Sequence, residues 1–212
     1  MAVRDADARP MRRDAARNHQ LVLDAAREVV SEFGTDASVE LIASRAGVGV
    51  GTVYRRFPNK EALLDELVRL ILDELVEAGR RVLARGDGSG LEAFLRVLGR
   101  SFMDHHRYAD QLIGRTTAES AAQLWDVVSE LLEQAREFDL VGADVELGDV
   151  MTSAWALRGI VQTTGAIAPH AWERHLDILL AGLRAPAVRS THPALTRADL
   201  TRITGAGRPD GA

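Results

Sequence analysis

Apolar side chains recur along most of the chain at intervals of three and four residues, which is the period of an amphipathic helix. The first such stripe consists of Leu21, Val22, Ala25, Ala26, Val29, Val30 and Phe33. Few segments alternate apolar and polar residues with the period of two that a half-buried strand requires. The pattern therefore predicts an all-α protein of about nine helices.

Two short helices are predicted on either side of a glycine-rich turn in the first third of the chain. Ser38 is a suitable N-cap for a helix over residues 39–46, and Pro58 stops a second helix over residues 50–57. The segment Gly47-Val48-Gly49 joins them, and glycine permits a left-handed turn there. This is the layout of a helix-turn-helix unit, whose second helix can enter the major groove of DNA. An ordinary helical hairpin has the same layout, so the spacing alone leaves both interpretations open.

A longer helical body is predicted to follow this three-helix head. Its helices span about residues 60–84, 91–107, 109–117, 119–138, 146–168 and 172–183. We expect residues 14–59 to form the head and residues 60–185 to form the body. The segments at both ends are polar and weakly patterned. We therefore expect a disordered basic arm over residues 1–13 and a disordered tail over residues 186–212.

The composition is typical of a globular protein: 212 residues, of which 46% are hydrophobic and 27% are charged. The chain has no cysteine, which excludes disulfides, iron–sulfur clusters and thiolate zinc sites. No apolar run approaches the ~20 residues that a membrane span needs. The first residues are polar and charged, unlike a signal peptide. We therefore expect a cytoplasmic protein that makes no membrane contact.

Positive charge is concentrated near the predicted turn, although the formal net charge of the chain is −5. Residues 1–60 carry ten basic and eight acidic side chains, whereas the remainder carries sixteen basic and twenty-three acidic ones. Residues 41–60 contain no acidic side chain and four basic ones, Arg45, Arg55, Arg56 and Lys60. A local basic patch of this kind favours a nucleic-acid contact more than the net charge does.

Residues 47–61, with the sequence Gly-Val-Gly-Val-Gly-Thr-Val-Tyr-Arg-Arg-Phe-Pro-Asn-Lys-Glu, strongly resemble the DNA-binding signature of the tetracycline-repressor (TetR) family. The approach resembles the family too, since Arg13-Asp-Ala-Ala-Arg-Asn18 precedes an amphipathic helix ending at Phe33-Gly34. Residues 39–46 match the family's first short helix. The close resemblance extends to about residue 75, and beyond it only helix order and length agree. One departure is Gly49, where many relatives place Ser or Thr as the N-cap.

The resemblance implies that the second short helix and its neighbours bind DNA. The positions that match Thr52, Tyr54 and Lys60 contact the DNA backbone in the family. A phosphate near Lys60 would also use the free amides at a helix start. Arg56 supplies a further cation. Ser38 is either a plain N-cap or an additional phosphate contact.

Contacts to base edges are expected from the start and middle of the same helix. Arg55 is the side chain best suited to guanine. The alternatives are that Tyr54 packs at the junction of the head and the body and that Arg55 and Arg56 are solvated surface. The candidate DNA-binding residues are therefore Ser38, Val50, Gly51, Thr52, Tyr54, Arg55, Arg56 and Lys60.

The resemblance assigns dimerisation to the body. In the family the last two helices form a four-helix bundle with those of a second subunit, here about residues 146–168 and 172–184. Their apolar stripes are Val150, Ala154, Leu157 and Val161 on the first, and Leu176, Leu179, Leu180 and Leu183 on the second. Packing within one chain is the alternative role for these stripes.

The resemblance also implies a pocket for a small-molecule effector between the body helices. The candidate lining residues are Phe94, Leu98, Phe102, Met103, His106, Trp125, Met151 and Trp155. Each of them also suits a plain core position. The spacing of the histidines gives no metal site, and no cofactor is expected.

These observations predict a dimeric transcriptional regulator that responds to a ligand, most simply a repressor that leaves a palindromic operator when its effector binds. A second interpretation is an activating or architectural DNA-binding protein without a ligand. A third is an all-α enzyme. No glycine-rich phosphate loop, Ser/His/Asp arrangement or carboxylate pair supports catalysis.

Overall fold

The computed structural model describes residues 8–106, 115–184 and 190–206, and this part of the chain contains helices and no strands. The helices are α1 (Ala8–Phe33), α2 (Val39–Ala46), α3 (Val50–Arg56), α4 (Lys60–Leu83), α5 (Gly90–Asp104), α6 (Ala118–Glu137), α7 (Leu147–Thr164), α8 (Ala171–Leu183) and α9 (Arg197–Ala206). The all-α prediction is confirmed. None of the helices described is both long and apolar enough to cross a membrane.

The chain divides into two compact units, residues 1–67 and 68–212. The division falls within α4, whereas the sequence pattern placed it at residue 59. The predicted helix over residues 109–117 falls mostly on residues 107–114, which lie outside the described part of the chain.

The first unit is built around the buried face of α1. Leu63 and Leu67 of α4 and Ile42 of α2 are fully buried with it. The buried residues of α1 are Val22, Leu23, Ala25, Ala26, Val29 and Val30. Leu21 and Phe33, at the two ends of the predicted stripe, are exposed instead. The helix begins at Ala8, so residues 8–13 are helical and the expectation of a disordered arm is wrong for them.

The second unit has one continuous apolar core, to which the later part of α4 and helices α5 to α9 contribute. Close approach of α5 and α8 depends on Gly99, because a Cβ atom there would lie 2.3 Å from the Trp172 ring. The same two helices are joined on the surface by an ion pair of 2.8 Å between Arg96 and Asp177.

The expected disordered tail contains helix α9, and that expectation is therefore wrong for residues 197–206. Leu200 is fully buried in the core of the second unit. The backbone of Leu195 lies so close to Gly148 of α7 that a Cβ atom there would be 2.3 Å from the Leu195 carbonyl oxygen. Arg197 donates a hydrogen bond of 2.6 Å to Asp126 of α6. The polar sequence around Leu200 gives no indication that this side chain is buried.

A capping box begins α9. The Thr196 amide donates to Asp199 Oδ2 over 2.9 Å, and the Asp199 amide donates to Thr196 Oγ1 over 3.2 Å. Hydrogen bonds from the Thr196 hydroxyl and amide, together with Arg202, lower the pKa of Asp199 to about 2. This spacing was readable in the sequence and marks the start of the helix.

Candidate nucleic-acid interface

Helix α2 is fixed at both ends by its own sequence. Ser38 has extended backbone angles, and its Oγ accepts a hydrogen bond of 3.2 Å from the Leu41 amide. Gly47 adopts a left-handed conformation with φ of 67°, and the Val48 amide returns to the Ala43 carbonyl over 3.0 Å. These are the N-cap and turn that the sequence predicted. The Ser38 hydroxyl is engaged in capping, which is the plainer of its two expected roles.

Helix α3 has seven residues and only one buried side chain, Val53. Its N-cap, Gly49, provides no side-chain hydrogen bond. The helix closes where the Phe57 amide donates to the Val53 carbonyl over 2.8 Å, and the Phe57 ring is buried. The exposed residues of α3 are Gly51, Tyr54, Arg55 and Arg56, and Val50 and Thr52 are partly buried.

Tyr54 is 45% exposed. Lys60 is the first residue of α4, whose N-terminus is capped by Asn59: the Ala62 amide donates to Asn59 Oδ1 over 2.8 Å. Cations and a hydroxyl therefore lie on α3 and on the helix start that follows it.

The two arginines of α3 are held by different partners. Arg55 donates from Nη2 to the Oγ1 atom of Thr52, one turn earlier, over 3.0 Å. Arg56 donates from Nε to His19 Nδ1 on α1 over 3.1 Å. The His19 ring stacks on Phe57 with centroids 5.4 Å apart, and its Nε2 lies 3.5 Å from Glu66 Oε1. Sequence reasoning missed His19, because no local pattern connects it with a residue 37 positions later.

Arg45 belongs to a different environment from the other cations of residues 41–60. Its guanidinium lies 3.0 Å from Glu32 and 3.4 Å from Glu28, both on α1. Hydrogen bonds to Glu32 and Glu28 raise the pKa of Arg45. Its charge is therefore offset locally, and Arg55, Arg56 and Lys60 carry the positive charge of this surface.

The candidate effector-binding residues lie in the second unit. Four of them, Phe94, Leu98, Trp125 and Met151, are buried in its core. Phe102, Met103 and Trp155 are partly buried against that core, and His106 Nδ1 contacts the Met103 carbonyl at 2.7 Å. Arg197 of α9 lies over the Trp125 ring, 5.8 Å from its centroid. These positions suit a pocket lining and a plain core equally well. No group of acidic or histidine side chains within the described residues could hold a metal ion.

The apolar stripes predicted for dimerisation are mostly buried within the chain's own core. This applies to Val150, Ala154, Leu157, Val161, Leu176, Leu180 and Leu183, whereas Leu179 is partly buried. Other apolar residues of this region are exposed: Ile178 on α8 at 60%, and Ile167 after α7 at 91%. A Cβ atom on Gly159 or Gly182 would meet open space. The internal stripe and the outward apolar positions are therefore different residues of the same region of the chain.

This chain is similar to known proteins in both its sequence and its fold. The family profile described as "Bacterial regulatory proteins, tetR family" matches residues 22–67. The crystal structure of the TetR transcriptional regulator SCO0520 from Streptomyces coelicolor is 30% identical, with a TM-score of 0.63 over 80% of this chain and 99% of that one. A TetR regulatory protein from Mycobacterium vanbaalenii is 29% identical, with a TM-score of 0.62 over 83% and 100% of the two chains.

Curated relatives match over shorter stretches of this chain at somewhat higher identity. The HTH-type transcriptional regulator BetI of Klebsiella pneumoniae is 35% identical over 88 residues, which are 41% of this chain and 45% of BetI. The HTH-type transcriptional repressor KstR2 of Rhodococcus jostii is 38% identical over 66 residues, which are 31% of this chain and 32% of KstR2. The match thus spans less than half the length of these curated relatives.

Proposed function

This chain belongs to the TetR family of bacterial regulatory proteins, and we propose that it is a dimeric repressor that binds a palindromic operator and is released by a small-molecule effector. The observation that carries the DNA-binding part is the exposure of α3. Tyr54, Arg55 and Arg56 are all exposed on this one short helix, and Lys60 follows at the start of α4.

These residues and their neighbours divide between backbone and base contacts. Thr52, Tyr54 and Lys60 contact phosphates, since a hydroxyl or a phenol donates one hydrogen bond and an ammonium group three. Val50, Gly51, Thr52 and Arg55 approach base edges in the major groove. On binding DNA, Arg55 gives up its hydrogen bond with Thr52 and binds a guanine. In the free protein that hydrogen bond keeps the Arg55 side chain close to the position it takes on DNA.

Dimerisation follows from the small number of contacts that one such head can make. Two heads on successive half-sites, about 34 Å apart along the duplex, double the number of phosphates neutralised. We assign the dimer interface to the outward surface of α7, α8 and the turn between them, where Ile178 and Ile167 are exposed and Gly159 and Gly182 leave room for a second helix.

Effector binding is assigned to the second unit, around its partly buried aromatic and methionine side chains. Occupation of that unit by a ligand changes the separation of the two recognition helices, and a coupling free energy of ~1–3 kcal/mol is sufficient for such a switch. The alternative function, DNA binding without a ligand response, is distinguished by measuring operator affinity across a panel of small molecules. Equal affinities throughout favour the alternative.

The test of DNA binding compares Lys60→Ala with Arg80→Ala. Both variants remove one cation from α4, and Arg80 is an exposed side chain paired only locally with Glu77, at 2.7 Å. Duplexes are first recovered from a random-sequence pool with the full-length protein, and affinity is then measured by fluorescence anisotropy at several salt concentrations.

Loss of one phosphate contact per subunit lowers the slope of log K against log salt by roughly 2 for a dimer. We expect this change for Lys60→Ala and an unchanged slope for Arg80→Ala. Equal slopes for both variants, or failure to recover any preferred sequence, would contradict the proposal.

A further inference from the structure

We infer that His19 is a positioning residue for DNA binding, which orients the guanidinium of Arg56 so that its outer edge meets a phosphate. This inference rests on the proposed function. It assigns a role in DNA binding to a side chain of α1 that lies outside the helix-turn-helix itself.

The His19 side chain, 20% exposed, contacts three other parts of the first unit. Its ring stacks on Phe57 at an interplanar angle of 22°. Its Nδ1 accepts the hydrogen bond from Arg56 Nε, at 3.1 Å, and its Nε2 lies 3.5 Å from Glu66 Oε1 on α4. One imidazole therefore connects α1 with the end of α3 and with α4.

The hydrogen bond from Arg56 determines where the imidazole proton lies. Arginine is a donor only, so Nδ1 of His19 must be the unprotonated nitrogen. The single proton of the neutral ring is then on Nε2, which faces the Glu66 carboxylate. The carboxylate thus favours the tautomer that accepts from Arg56.

The same bond determines which part of Arg56 is available to DNA. The guanidinium is a rigid planar fork with five N–H donors. Its Nε donor is used by His19, whereas the residue as a whole is exposed. The two Nη groups remain to donate side by side, and this pair of donors matches two oxygens of a phosphate.

Helix α3 depends on such a contact more than a longer helix would. It has seven residues, no side-chain N-cap and a single buried residue. A free arginine loses much rotamer entropy when it binds, and fixing it beforehand reduces that loss. The tether also secures the C-terminal end of α3 against α1, at the point where the Phe57 ring is packed.

The test separates hydrogen bonding from packing by four variants of the full-length chain. His19→Phe keeps a ring to stack on Phe57 and removes the acceptor. His19→Asn removes the ring and places an amide oxygen near the position of Nδ1. Arg56→Met, which has no Nε donor, is made alone and together with His19→Phe. Affinity for a duplex selected with the unaltered protein is measured by anisotropy, and stability is measured by urea unfolding.

We expect His19→Phe to weaken operator binding about tenfold for a dimer and to cause little further loss in the Arg56→Met background. We also expect His19→Asn to bind DNA more tightly than His19→Phe, although packing alone ranks phenylalanine first in stability. This reversal of order is a readout that a purely structural role does not give.

Two results would overturn the inference while leaving the proposed function intact: an equal loss from His19→Phe in both backgrounds, or weaker DNA binding by His19→Asn than by His19→Phe. If the unaltered protein selects no DNA sequence, the proposed function fails and this inference fails with it. The imidazole nitrogen shifts of the DNA-free protein provide a separate check, because a proton on Nδ1 contradicts the bond from Arg56.

Discussion

The two short helices of the head differ in what holds them. Helix α2 has a serine cap at its start, a left-handed glycine at its end and three buried side chains, Val39, Ile42 and Ala43. Helix α3 is one residue shorter, begins at a glycine without a side-chain cap, and buries Val53 alone. The first helix is specified by its own residues, and the second depends on the contacts that its C-terminal end makes with the rest of the unit.

This difference fits the DNA-binding function that we propose for α3. An isolated helix shorter than ~12 residues is marginal in water, so both helices need tertiary contacts. A helix that inserts into a groove must leave most of its surface uncovered, and α3 therefore receives its support at one end. Phe57, Arg56 and His19 form that support.

The largest effect is expected from Phe57→Ala, which removes the buried ring that closes α3. Replacing a buried phenylalanine by alanine costs about 3–5 kcal/mol of unfolding free energy, and the His19 ring loses its stacking partner as well. Urea unfolding and hydrogen exchange of the α3 amides measure the loss. Phe33→Ala is the matched control, because Phe33 is exposed on α1 of the same unit. A loss from Phe57→Ala no greater than that of the control would show that α3 does not depend on its C-terminal end.

The elements that the sequence predicted well are those with local signals. Ser38, Gly47 and Pro58 each act on the backbone within a few residues of themselves, so the limits of α2 and α3 could be read directly. The same holds for the capping box at Thr196, which lies in a polar segment where Leu200 is the one buried residue among those described and has no helical stripe around it.

The contacts that sequence reasoning missed join residues distant in the chain. The bond from Arg56 to His19 and the ion pairs of Arg45 with Glu28 and Glu32 arise only when α1 packs against the helix-turn-helix.

The pocket residues are not assigned by the sequence for a different reason. Phe94 and Trp125 recur at helical spacing whether they line a pocket or fill a core, so periodicity does not separate the two.

Substituting Gly47→Ala tests the end of the better-specified helix. Gly47 has φ of 67°, and a Cβ atom there would meet nothing within 4 Å, so the cost is one of backbone conformation alone. A non-glycine residue in the left-handed region costs roughly 1–2 kcal/mol. We expect a loss of that size by urea unfolding. Gly51→Ala, measured without DNA, is a suitable comparison, because that glycine lies within α3, has the same open surroundings and no positive φ. If both variants behave alike, the turn does not require glycine.

The smallest effect is expected from exchanging the two N-caps, and it bears most directly on the comparison. Gly49 has φ of −70° and ψ of 144°, angles that serine adopts at an N-cap, and nothing lies within 4 Å of a Cβ atom there. Glycine is only a few tenths of a kcal/mol poorer than serine as a cap. Gly49→Ser should therefore stabilise α3 by about that amount, and Ser38→Gly should cost α2 about the same.

Hydrogen exchange of the first amides of each helix measures both changes in stability. A gain above about 1 kcal/mol from Gly49→Ser exceeds what a cap exchange supplies, and would place the weakness of α3 at its N-terminus. A gain of only a few tenths of a kcal/mol would indicate that α3 is stabilised mainly by the contacts at its C-terminal end.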